Sequence, residues 1–243
     1  MALSVLIFDL DDTLYPELDY ILGGFRAAAS AVEESWGHPA AETYRELERI
    51  FLSAPDAPVF DRWLERRGEG GTEGQDRDRM LSAYRGHRPE LRLFADASWA
   101  LDMLGAEYRL ALLTDGRSES QRYKIEALGL KDTFREVLVT DEFGLSWRKP
   151  SPRGFELLLA RLGGCRPEDA VYIADNPAKD FLAPNLLGMQ SVRVRRPCGR
   201  HYALEALTPE GAPQAEITSL LELPALLPGL YQRRSHDPVR SVL

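Results

Sequence analysis

With 243 residues, 44% of them hydrophobic, and a formal net charge of -8, the chain can bury one large core or two small ones. Its acidic balance excludes the broad cationic surface that nucleic acid or an anionic membrane requires. The two cysteines, Cys165 and Cys198, lack the spacing of zinc or redox motifs, and the apolar run before Asp9 is too short for a signal or a membrane span, so a soluble, cytoplasmic protein is expected.

The run over residues 3–8, Leu-Ser-Val-Leu-Ile-Phe, reads as a buried strand that ends in Asp9-Leu10-Asp11-Asp12-Thr13. On an extended chain, residues i and i+2 point the same way, which puts the Asp9 and Asp11 carboxylates on one side, about 7 Å apart. Two carboxylates at roughly 4 Å repel by about 4 kcal/mol at an effective dielectric near 20, so this knot calls for a divalent cation. Residues 16–90 then show helical periodicity at Phe25, Ala28, Ala29 and Val32, at Tyr44, Leu47, Ile50 and Phe51, and at Phe60, Trp63 and Leu64, with a flexible glycine-rich loop expected over 68–74. They are predicted as a small helical domain, inserted into a core of residues 1–15 and 91–243 and placed to act as a lid.

Further strands are predicted over 110–113, 137–139, 170–174 and 191–194, and helices over 118–128, 152–162 and 177–187, each helix ending at glycine. This alternation predicts an α/β fold, a doubly wound, Rossmann-like parallel sheet whose ligand binds at the carboxyl ends of the strands. Prolines chop the tail after Ala203; residues 216–227 are expected to pack on the core, and those beyond Tyr231 to form a mobile end.

Four strand ends carry chemistry. Asp9 and Asp11 end the first. Thr114-Asp115-Gly116 ends the second, a hydroxyl and backbone amides at a helix start that suit an anion. Lys149, just before Pro150, offers a point charge for phosphate. Asp175 and Asp180 follow the strand over 170–174 and supply hard oxygen ligands suited to Mg2+.

In these motifs the chain resembles the haloacid dehalogenase superfamily, in its phosphatase-like members with a helical cap after the first strand. Asp9, Asp11 and Thr13 match the Asp-x-Asp-x-Thr pattern, Thr114 the Ser/Thr motif, Lys149 the Lys motif, and Asp175 with Asp180 the terminal acidic motif. The resemblance implies that Asp9 is the nucleophile, forming an aspartyl-phosphate, and Asp11 the general acid and base. It implies Mg2+ held by Asp9, the Asp11 backbone carbonyl and Asp175, with Asp180 in or near the second shell, and the phosphoryl group held by Thr114, the amides of Asp115 and Gly116, and Lys149. Asp115 stands where the family commonly carries Asn, and is expected to cap the helix beginning near Ser118.

The resemblance implies a Mg2+-dependent phosphomonoester hydrolase of a small metabolite, such as a sugar phosphate, a nucleotide or a phosphoglycolate-like acid. Asp11 opposes hydrolytic dehalogenation, since the dehalogenase members lack an acid there. Residues 16–90 contain no lysine, which opposes phosphonate cleavage through a Schiff base. A phosphosugar mutase of the same fold and a non-enzymatic phospho-accepting or binding protein remain as alternatives. Tyr15, Arg26 and Trp147 are the candidates for substrate selection, and no nucleic acid or membrane partner is expected.

Overall fold

The computed structural model describes residues 3–67 and 73–234. Six strands form one parallel sheet: β1 (Val5–Phe8), β2 (Arg109–Thr114), β3 (Glu136–Val139), β4 (Ala170–Ala174), β5 (Gln190–Val194) and β6 (Ala215–Ile217), in the order β3-β2-β1-β4-β5-β6. Strands buried on both faces need continuous apolar runs, and Val-Leu-Ile-Phe in β1 and Ala-Val-Tyr-Ile-Ala in β4 are buried throughout. The order is that of a doubly wound sheet, as the alternation predicted. Its direction reverses between β1 and β4, where a crevice opens beyond the carboxyl ends.

The chain divides into two compact units. The first comprises Met1–Glu17, Arg92–Gln121 and Leu128–Leu243 and contains the sheet. On one face, Val5, Ile7, Ala111, Leu113 and Tyr172 pack with Phe155, Leu158 and Phe181. The alternate residues Leu6, Phe8, Leu110 and Leu112 are buried on the opposite face, where the Phe8 and Phe134 rings lie 6.4 Å apart. The second unit comprises Leu18–Leu91 and Arg122–Ala127. It carries most of α1 (Glu17–Trp36), with α2 (Ala40–Ser53), α3 (Val59–Arg67) and α4 (Glu73–Gly86). Phe25, Val32, Leu47, Ile50, Phe60 and Trp63 form its core, so the helical periodicity marks the buried faces.

The remaining helices are α5 (Ala95–Gly105), α6 (Ser118–Ala127), α7 (Arg153–Arg161), α8 (Leu182–Leu187) and α9 (Leu223–Arg234). Four expectations are corrected. The helix expected over 177–187 starts only at Leu182, because residues 177–181 turn around Asn176 and Asp180 instead. Of the glycine-rich loop expected over 68–74, Glu73 and Gly74 instead open α4, and residues 68–72 lie outside the described residues. The tail also adds a sixth strand, β6, beside β5. Of the mobile end expected after Tyr231, residues up to Arg234 belong to α9, and 235–243 lie outside the described residues.

Candidate active site

The chain leaves β1 still in register with β4, the Asp9 amide donating to the Ile173 carbonyl at 2.9 Å. It then turns sharply: the Thr13 and Leu14 amides both donate to the Leu10 carbonyl, at 3.3 and 3.0 Å, and Asp12 takes φ +52°. That left-handed conformation costs an L residue roughly 1–2 kcal/mol. Asp12 offsets it by accepting the Glu17 amide at the start of α1 at 2.9 Å and the Arg200 amide at 2.8 Å.

The Asp11 carboxylate is held on both oxygens, Oδ1 by the Tyr15 hydroxyl and Oδ2 by Gln121 Nε2 at 3.0 Å. Gln121 Nε2 also donates to Thr114 Oγ1 at 2.6 Å. Gly116, with φ +132°, turns the chain immediately after β2.

The expected capping role of Asp115 is not what the structure has. Its Oδ1 accepts from the Thr140 hydroxyl at 2.7 Å, its carboxylate receives the Lys149 amide at 3.2 and 3.3 Å, and Lys179 Nζ lies 3.6 Å from Oδ2. Asp141 instead receives the Ser118 amide at the start of α6, at 3.2 Å. Asp115 is drawn away because three donors converge on it from the neighbouring loops.

Lys149 is enclosed. Its Nζ lies 2.6 Å from Asp9 Oδ1, 2.7 Å from Asp180 Oδ1 and 2.8 Å from the Tyr172 hydroxyl, and its side chain has no exposed surface. Asp180 Oδ2 accepts the Asn176 amide at 3.0 Å. A cavity of about 180 Å³ lies at these strand ends; its wall holds Asp9, Asp11, Asp12, Glu17, Asp115 and Asp175, with Lys179, Arg200 and His201. Lys179 and Arg200 are thus cations on that wall, and Lys179 is the one whose charge pulls on Asp9.

A family model described as haloacid dehalogenase-like hydrolase matches residues 6–194. The chain belongs to the haloacid dehalogenase-like hydrolases. It is 30% identical to the glyceraldehyde 3-phosphate phosphatase of Methanopyrus kandleri, across 91% of this chain and 95% of that one. It is 31% identical to the phosphoserine phosphatase of Thermus thermophilus (91% and 98%) and 33% identical to the ribulose-1,5-bisphosphate 5-phosphatase of Halopiger xanaduensis (79% and 84%). In fold it resembles the HAD-hydrolase YfnB of Bacillus subtilis, solved bound to magnesium, with a TM-score of 0.66 at 20% identity over 93% of this chain and 99% of that one.

For a haloacid dehalogenase-like hydrolase, the electrostatics of this end of the sheet ask for a cation. Burial pushes the Asp9 carboxyl up to about 7, against the pull of Lys149. Burial, with Asp180 and Asp9 nearby, pushes Asp175 well above the usual carboxylate range. Asp175 Oδ2 is buried with no hydrogen-bond partner among the described residues, and carboxylate oxygens of Asp9, Asp175 and Asp180 lie within 4.8 Å of one another. Three clustered carboxylates, one of which has an unpartnered oxygen among the described residues, fit a divalent ion. Asp180 is the least available of the three: burial raises it, but Lys149 and Lys179 outweigh that and hold it below its ordinary value, and both its oxygens are already engaged.

Two of the predicted selecting residues lie away from this cavity's wall. The Tyr15 side chain is fully buried, its hydroxyl spent on Asp11, and the Trp147 ring packs on Phe143 at 4.8 Å between centroids. In the second unit, the Arg26 guanidinium lies over the Tyr44 ring, 5.1 Å from its centroid.

Gln121, Lys179 and Arg193 were not anticipated from the sequence. Lys179 sits one residue before Asp180, and Gln121 lies seven residues past Thr114 in the first turn of α6, the only signals available in the chain. Arg193 carries no such signal. Buried in β5, it donates to the carbonyls of Asp175 at 3.1 Å and His201 at 2.7 Å, tying the loop that brings Arg200 and His201 to the cavity.

Proposed function

We propose that this haloacid dehalogenase-like hydrolase is a Mg2+-dependent phosphomonoester hydrolase of a small phosphorylated metabolite. One observation carries the reading: Asp9 and Asp11 open together onto one cavity at the switch point of the sheet, a nucleophile beside an acid, with Lys149 and Lys179 around them. The phosphatase names of the relatives in Methanopyrus, Thermus and Halopiger support it. Two free cysteines, Cys165 and Cys198, suit the cytoplasm, and no helix among the described residues is long and apolar enough to cross a membrane.

In the first step a carboxylate oxygen of Asp9 attacks phosphorus, the bond to the ester oxygen breaks, and Asp11 gives its proton to the departing alcohol. Asp11 then takes a proton from water, which attacks the aspartyl-phosphate to free phosphate and restore Asp9. Dividing one displacement in two lowers each barrier, and a positioned acid and base is worth about 10²–10⁴-fold. Lys149 holds Asp9 and Asp180 in place. Thr114, the amides of Asp115 and Gly116, and Lys179 from the cavity wall receive the phosphoryl oxygens as charge shifts, the electrostatic contribution that dominates such transfers. The carboxylates of Asp9 and Asp175 and the Asp11 carbonyl would hold the Mg2+, with Asp180 behind them; when bound, the ion offsets the repulsion between carboxylate and phosphate. An acid at position 11 has no task in dehalogenation, which expels halide rather than an alcohol.

Phosphate release should be measured with Mg2+ on p-nitrophenyl phosphate and on a panel including glyceraldehyde 3-phosphate, phosphoserine and ribulose 1,5-bisphosphate. Asp9→Asn is expected to abolish it. Release by Asp9→Asn at the wild-type rate would overturn the mechanism.

A further inference from the structure

Gln121 is buried, with 1% of its surface exposed, and it takes no part in the chemistry above. A side-chain amide has two N–H protons on one nitrogen. Here one bond runs to Asp11 Oδ2 at 3.0 Å and the other to Thr114 Oγ1 at 2.6 Å. The residues it joins come from two different strand ends, β1 and β2. Its place is kept open by Gly116: a Cβ there would meet Gln121 Cδ at 3.0 Å and Oε1 at 3.1 Å.

Two consequences follow from which group donates. Asp11 has Gln121 on one oxygen and Tyr15 on the other, so the plane of its carboxylate is fixed. Thr114 Oγ1 accepts from Gln121, so its own proton must point elsewhere. Among its hydrogen bonds that proton has only a long one, 3.5 Å to the Asp115 carbonyl. A bond of that length is weak, leaving the proton to be redirected to an incoming phosphoryl oxygen.

We propose that Gln121 is a positioning residue: its single amide fixes the Asp11 carboxylate and the Thr114 hydroxyl relative to each other, so one side chain sets both proton delivery to the leaving group and the grip on the phosphoryl group. The catalytic consequence rests on the phosphatase reading, whereas the positioning itself does not. Gln121→Leu keeps nearly the same volume and removes both donors. The selective readout is kcat/KM, which reports formation of the aspartyl-phosphate, for an alkyl phosphate and for p-nitrophenyl phosphate. An alkoxide needs the proton from Asp11 and p-nitrophenolate hardly does.

The expected result is a loss on the order of 100-fold on the alkyl ester, about tenfold or less on the aryl ester, and weaker inhibition by inorganic phosphate. Equal losses on both esters, or no loss on either, would overturn the proposal. Gln121→Asn, too short to reach both partners, should show a smaller selective loss, and it decides the matter if the leucine variant does not fold. Crystal structures of the wild type and the variant give a second reading without turnover. Asp11 should rotate in the variant, and an unmoved Asp11 and Thr114 would overturn the proposal. If the wild-type enzyme hydrolyses no ester, the phosphatase reading fails, and those two structures alone decide the positioning role.

Discussion

Asp175→Asn is expected to make the metal-free protein more stable while removing its response to Mg2+. In the native fold the Asp175 carboxylate is buried, one oxygen has no partner among the described residues, and Asp180 and Asp9 are the like charges that raise it most. An ionised carboxylate in such a place costs several kcal/mol. Asparagine has the same shape without the charge, but still leaves a buried polar group unpaired, at about 1–3 kcal/mol. The net expectation in EDTA at pH 8 is a gain of about 1–3 kcal/mol, which for a chain of this size is about 2–12 °C in Tm. The pH dependence carries the sign. Because Asp175 is raised above its ordinary 3.8, the folded state holds a proton there that the unfolded chain has already lost. The contribution of Asp175 to wild-type stability therefore falls as pH rises from about 4 upward, whereas asparagine does not titrate, so the gap between the two should be small near pH 4 and widen toward pH 8. Thermal melts in EDTA across that range, and again with added Mg2+, measure both effects. A variant less stable than wild type at pH 8 in EDTA, or a gap that does not change with pH, would refute the reasoning.

Lys149→Met leaves Asp9 and Asp180 buried without their shared cation, and should cost about 3–5 kcal/mol in denaturant unfolding. Adding Asp180→Asn should recover part of that loss, and strict additivity of the two changes would argue against the pairing. Arg193→Met should speed hydrogen exchange in the segment around Arg200 and His201, because both anchoring bonds to the carbonyls of Asp175 and His201 are lost. Unchanged exchange there would remove Arg193 as the anchor of the loop.

The strands were legible because a parallel sheet covered on both faces leaves apolar runs that no other element explains, and the runs in β1, β2 and β4 fall where they were expected. What escaped was short or locally overridden. Ala-Glu-Ile in β6 is too brief to show a period, and α8 begins late because Asn176 and Asp180 capture the backbone of the preceding turn. Asp115 misled for a related reason: a carboxylate shortly before a helix suggests a cap, but Asp115 lies three residues ahead of Ser118, and Thr140, Lys149 and Lys179, far along the chain, offer it donors.

The sequence by itself determined the sheet and the residue types at its strand ends, since both follow from local patterns: apolar runs, helix periods, and acids and a lysine just past them. Membership in the haloacid dehalogenase-like hydrolases was legible in the same motifs. Only the tertiary structure decided which of those groups meet. Hydrogen bonds between Gln121, Asp11 and Thr114, the enclosure of Lys149 between two aspartates, and the place of Lys179 on the cavity wall depend on distances between segments up to 140 positions apart. Such distances leave no period or spacing in the chain, because they are set by how the strands order in the sheet and not by any neighbour in sequence.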